Sequence, residues 1–260
     1  MEEIVQFIAK NEIVFIFVLA RVSAFISALP VLDGMTIPST FKVLLAFTLS
    51  LILLPVVHVT PPPAEMIPLT LGLLGEVTMG LVIGFGARAI FAAVEIGAEL
   101  SGLQMGFGIA NIYNPLSGQT DSLIGRFELM LTFMVFFGIN AHHILIHTLV
   151  LSFSIVPFSG LVPSGPLMNH LISITGNMFL LGMKIAVPVM VTLLLANGAL
   201  GLLSRLVPQI NIFLASFAVT IGLGLVVLGA SMSVIVALIR NQMTGMENVL
   251  ITLLREIRGI

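Results

Sequence analysis

Few residues in this chain could do chemistry, and their spacing says which kinds are open. His142, His143 and His147 are the one cluster of metal-ligating type, and His143 and His147 stand at the i, i+4 spacing that puts two imidazoles on one helix face. No Asp, Glu or Cys lies within a helical turn of them, and Glu128 is further back along the segment, so polar contact between helices is the expected role and no metal is assigned. Glu95 and Glu99 are carboxylates one turn apart, the arrangement a proton relay uses; the competing role is to line an assembly surface or an aqueous lumen. Residues 102–108, GLQMGFG, have the glycine spacing of a phosphate loop but neither the following Lys-Ser/Thr nor a preceding strand. Ser, His and Asp occur without the context that would assemble a nucleophilic triad, and the absence of cysteine removes disulfide and thiolate chemistry. The chain reads as a non-enzymatic protein with no cofactor.

The elements that carry these residues are apolar throughout. Of 260 residues, 58% are hydrophobic and 8% charged, where a soluble domain carries about 25% charged residues. With a mean hydropathy of +1.18, the fold class expected is an all-α polytopic membrane protein with about six long apolar helices. A net charge of −2 points to neither nucleic acid nor a polybasic lipid-binding tail. The first twelve residues lack the basic region of a cleavable signal, so the first apolar segment is expected to be retained.

Residues 13–32 form the first candidate span, with Arg21 at its middle, too far from either end to snorkel; a partner inside a complex is expected for it. Residues 41–59 follow as a second helix, then the stiff link PPPAEMIP. A third element begins at Leu69 and carries Glu76. Residues 123–151 are the fourth segment, and residues 152–169, with three prolines and no charge, read as a semi-apolar loop. Residues 171–201 are the fifth, holding Lys184 and a kink at Pro188. After SRLVPQIN the sixth runs over residues 212–239, and residues 240–260 end the chain as an amphipathic helix suited to a membrane interface. The links at 60–68 and 152–169 hold no Lys or Arg, as the positive-inside rule asks of alternate connectors, yet six spans put Arg240, Arg255 and Arg258 outside. Either one segment is re-entrant or the chain is not laid across a bilayer in the usual way.

The third element has an unusual face. Gly80, Gly84, Arg88, Ala92, Glu95, Glu99, Gly102 and Gly106 share one side at helical spacing, small and charged residues only. Lipid does not solvate such a stripe, so it should pack against neighbouring subunits or face a water-filled lumen. It then breaks into residues 108–122, GIANIYNPLSGQTDS, where Asn114-Pro115 and Ser117-Gly118 are turn signals; non-helical backbone at membrane depth is tolerated only where it is buried or lines a cavity.

Residues 95–115 (EIGAELSGLQMGFGIANIYNP), 136–157 (FFGINAHHILIHTLVLSFSIVP) and 205–213 (RLVPQINIF) resemble the FliR family, whose virulence-system counterpart is SctT. The likeness covers essentially the whole chain, with one departure at Ala218, where many members carry Pro. It implies a core subunit of the flagellar type III export gate in the bacterial inner membrane, within the basal body. Such a subunit is built with FliP-like and FliQ-like partners and associated with FlhB-like and FlhA-like proteins, for export of unfolded substrates. It also implies a FliP-like portion over 1–170, a FliQ-like hairpin over 171–239 with its turn around Arg205, Pro208, Gln209 and Asn211, and the tail 240–260. A plug loop near 106–122, Asn114 and Pro115 included, would offer Phe107, Ile109, Ile112 and Tyr113 to the pore, with Gly106, Gly108 and Gly118 as hinges. Less favoured alternatives are a virulence-type gate subunit and a secondary transporter using Arg21, Glu95 and Lys184; no inverted repeat supports the latter.

Overall fold

The structure is a computed structural model that describes residues 12–30, 37–57, 65–107, 123–158, 165–206 and 212–259, with the side chains of 212–214 excepted. Among these residues there is no strand, and seven helices follow one another: α1 (Glu12–Ala28), α2 (Ser39–Leu53), α3 (Met66–Met105), α4 (Leu123–Gly138), α5 (Ala141–Ile155), α6 (Gly165–Leu206) and α7 (Ile212–Arg258). The sequence reading is thus correct in class. Three helices, α3, α6 and α7, are long and apolar enough to cross a membrane, and α4 with α5 makes a fourth if the pair counts as one broken span.

The lengths go beyond what a span needs. At 1.5 Å per residue, the 40 residues of α3 extend about 60 Å, against a hydrocarbon core of roughly 30 Å. Helix α6, at 42 residues, takes in the end of the segment read as a loop and runs through Pro188 without ending. The terminal residues 240–258 are the direct continuation of α7, a helix of 47 residues. Their apolar stripe is buried in protein: Leu250, Leu253, Leu254 and Ile257 are each at most 1% exposed.

The chain folds into two compact units that do not follow chain order. The first comprises Met1–Ala89, Asn140–Ile174 and Thr244–Ile260. In it α1 packs on α2, with Phe15 edge-on to Phe47 at 5.5 Å. Phe17, Val18 and Val22 of α1 are fully buried. The C-terminal turns of α7 seat Leu250 against Gly86. They also meet two histidines, His147 with Glu247 at 3.2 Å and His170 with Glu256 at 3.1 Å. The second unit comprises Ile90–Ile139 and Thr175–Met243. Phe91 of α3 is its aromatic centre, 5.3 Å from Phe133 and 5.6 Å from Phe136 of α4. Here α3 and α6 approach at two glycines: a Cβ on Gly97 would lie 2.7 Å from the Gly182 carbonyl oxygen, and one on Gly182 would lie 2.8 Å from that of Ala93.

The fourth segment is not one helix. It breaks at Ile139–Asn140, and Asn140 sits in the left-handed region with φ 57° and ψ 31°. Asn tolerates this conformation because its short polar side chain bonds locally, while a β-branched residue clashes with the following carbonyl. Asn140→Gly should therefore leave stability nearly unchanged. Asn140→Val should cost about 1–2 kcal/mol, read as a lower midpoint for thermal unfolding of the detergent-solubilised chain.

Candidate functional site

The groups singled out above fall into three places: a buried charge node in the first unit, the polar stripe along α3, and the point where α3 stops.

Arg21 is fully buried, and every part of its guanidinium is engaged. Nε donates to Glu76 Oε2 at 2.5 Å, Nη1 to Ser152 Oγ at 3.0 Å and Nη2 to the Val156 carbonyl at 3.0 Å. The cation also lies 4.3 Å from the centroid of Phe153. Ser152 completes the relay by donating to the Leu149 carbonyl at 2.6 Å. This corrects the expectation of a partner elsewhere in a complex: the counter-ion is Glu76, on α3 of the same chain. A planar fork of donors suits the task, since one side chain ties α1, α3 and the bend after α5 together.

The stripe on α3 divides into two. A Cβ on Gly80 would run into the Arg21 carbonyl, and one on Gly84 would clash with the Ala28 side chain, so these glycines admit α1 of the same chain, not a sister subunit. Gly102 is buried as well. Arg88, Glu95 and Glu99 are instead exposed, as is Lys184 on α6. Gly80, Gly84 and Gly102 are buried within the protein, and the charged residues of the stripe lie on the surface.

Helix α3 ends in a Schellman motif. The Gly106 amide donates to the Leu103 carbonyl at 3.1 Å and the Phe107 amide to the Gly102 carbonyl at 3.0 Å, with Gly106 at φ 94°. Only glycine takes that φ without strain, so Gly106 is committed to closing the helix. Gly108, Ile109, Ile112, Tyr113, Asn114, Pro115 and Gly118, and the turn residues Pro208, Gln209 and Asn211, lie outside the described residues. Arg205 is exposed at the end of α6.

The rings of His142 and His143 lie 4.2 Å apart, tilted by 52°, and His147 turns to Glu247. Among the described residues no three His, Cys, Asp or Glu side chains gather as a metal would need. A shallow apolar cavity of about 230 Å³ beside Phe153, His147 and Val57 is smaller than typical ligand pockets of roughly 300 Å³ upward. Sequence reasoning missed two features of the second unit. One is the Gly97–Gly182 crossing, off the stripe by helical phase. The other is Glu128, fully buried with neither carboxylate oxygen hydrogen-bonded, whose place between Ile124 and Thr132 on one helical stripe was the available signal.

All-helical among the described residues, with three helices long and apolar enough to cross a membrane and a charge node buried in its first unit, the chain has the build of a polytopic membrane protein. Its residues 13–246 match the family described as bacterial export proteins, family 1, and the chain belongs to that family. Among its relatives is the flagellar biosynthetic protein FliR of Bacillus subtilis, 31% identical over 87% of this chain and 89% of that protein. The FliR of Escherichia coli is 30% identical over 92% of each, and that of Caulobacter vibrioides 32% identical over 83% and 87%. Family membership makes this chain a flagellar export component, and its long apolar helices suit it to a membrane. The relatives are named for biosynthesis and export, not for a catalysed reaction.

The Arg21 node generates a sharp expectation. Removing one member strands the other charge without water, so Arg21→Met should destabilise the chain by about 3–5 kcal/mol. The pair Arg21→Met, Glu76→Met should recover most of that loss, because two apolar groups of similar volume replace both charges. Unfolding of the solubilised single and double variants checks it; a double variant no better than the single would show that the charges act separately.

Proposed function

We propose that this chain is a non-enzymatic core subunit of the flagellar type III export gate in the bacterial inner membrane, within the basal body. It completes a pore with FliP-like and FliQ-like subunits, associates with FlhB-like and FlhA-like proteins, and closes the channel when no unfolded substrate is passing. The observation that carries the reading is the surface the isolated chain leaves uncovered. In the most apolar stretch of α7 only 17% is buried, against 61% in that of α3, and α6 exposes Phe179, Leu194, Leu195 and Leu202 among others. Such area is stable only against lipid or other apolar protein. The exposed charges Arg88, Glu95 and Glu99 argue that part of the cover is protein or a wet conduit. Helices twice as long as a bilayer is thick fit an assembly held partly above the membrane plane, which also answers the charge-bias conflict in the sequence. The FliP-like and FliQ-like portions, 1–170 and 171–239, remain part of this proposal. The relatives named above are all flagellar, which favours that apparatus over the virulence one.

Closure is assigned to residues 106–122. A loop offering Phe107, Ile109, Ile112 and Tyr113 to a narrow lumen excludes water and with it ions. The fixed cap at Gly106 leaves Gly108 and Gly118 as the positions whose backbone freedom can admit movement. Deleting residues 109–116 should raise ion leak through gates that assemble at normal yield, measured as conductance or small-solute entry in cells making the complex. Unchanged conductance refutes the plug.

A further inference from the structure

The second unit holds an arrangement that neither the family match nor the proposed function assigns. The end of α3 rests on one face of α7, formed by Phe217, Thr220 and Gly224, residues three and four apart and so neighbours on the helix surface. Met105, the last residue of α3, is fully buried and fills the space that a side chain at position 224 would need: a Cβ there would lie 2.6 Å from Met105 Cγ and 2.9 Å from Cε. Gly106 backs onto the Phe217 ring, where a Cβ would lie 3.3 Å from Cδ1 and Cε1. Between them the Thr220 hydroxyl stands 3.3 Å from the Met105 carbonyl oxygen and 2.9 Å from that of Ser216, sharing its single proton between its own helix and the end of α3. Terminal carbonyls of a helix lack partners within it, and this one finds its donor on a neighbour.

Packing, a ring contact and a hydrogen bond thus converge on two consecutive residues, in a turn already closed by the Schellman bonds. We infer that the Phe217, Thr220 and Gly224 face of α7 is a seat that fixes the direction in which the chain leaves α3, and that these are positioning residues for gate closure. The inference rests on the plug reading of residues 106–122 and adds to it the element that aims the loop. Helix α7 then has a second task beside presenting apolar surface. It sets the position of Phe107, the first plug residue after the cap, from a different part of the chain.

The test uses the full chain co-expressed with its partner subunits and reads assembly and resting ion leak separately. Because the chain has no cysteine, the pair Met105→Cys, Gly224→Cys is free of background and should form a disulfide in the assembled gate under a mild oxidant. Phe217→Ala and Gly224→Val should give gates that assemble but leak several-fold more than the parent, approaching the leak of the 109–116 deletion. Thr220→Val keeps the volume, removes only the hydroxyl, and should leak less than either but more than the parent; it decides the matter if the bulkier change blocks assembly. Absence of the disulfide in assembled gates overturns the seat. Assembled variants as tight as the parent, while the deletion leaks, overturn its positioning role. A deletion that itself stays tight refutes the plug, and the disulfide yield still reports on the seat.

Discussion

A polar group far from water must find its partner inside the protein, and most of this architecture follows from that constraint. Arg21 sits at the centre of an apolar helix, where an unpaired cation is untenable. The chain meets it with a carboxylate from α3, a hydroxyl from α5, the carbonyl of Val156 and an aromatic ring. Those partners come from positions 55 to 135 residues away in sequence. One satisfied cation therefore ties α1, α3 and α5 together, and beside it Gly80 and Gly84 let α1 approach α3 closer than a side chain allows. The same rule explains the hydroxyls on the helices, which bond back to carbonyls of their own turns, as Thr132 does to Glu128 and Ser101 to Gly97.

What the chain exposes describes its surroundings. Charged residues on α3 and long apolar faces on α6 and α7 are both exposed, and no single solvent suits both. Lipid covers one kind and not the other. A component made to be surrounded partly by lipid and partly by protein shows such a mixed exterior, and the most apolar stretches of α6 and α7 bury correspondingly little of their surface within the chain.

Much of this was legible in the residues, for reasons that also mark the limit. Apolar runs longer than a bilayer span announce membrane helices, and Gly-xxx-Gly spacing at 80 and 84 announces close approach. What spacing does not carry is the identity of the neighbour. Glu76 is visible as a charge on a helix, but nothing local links it to a residue 55 positions earlier, so the sequence points Arg21 to a partner inside a complex instead. Residues 240–258 show the same limit: their amphipathic period is plain, and an apolar stripe reads alike whether lipid or protein covers it. Asn140 marks a third case. An Asn in an otherwise apolar segment is a weak signal, and only its positive φ reveals the break between α4 and α5. The Schellman end of α3 was half legible, since Gly106 followed by a polar, turn-rich stretch suits a helix stop.

The ownership of the last turns of α7 has a consequence for biogenesis. Met246, Leu250, Leu254 and Ile257 belong to the same compact unit as the first helices of the chain and are each at most 3% exposed there. Synthesis delivers the N-terminus first, at about 5–20 residues per second, so the early helices emerge with the groove beside Gly86 vacant. That unit cannot complete its core until residues 244–258 have been made. Loss of those turns leaves the core beside Gly86, more than 150 residues earlier in sequence, without its filling side chains.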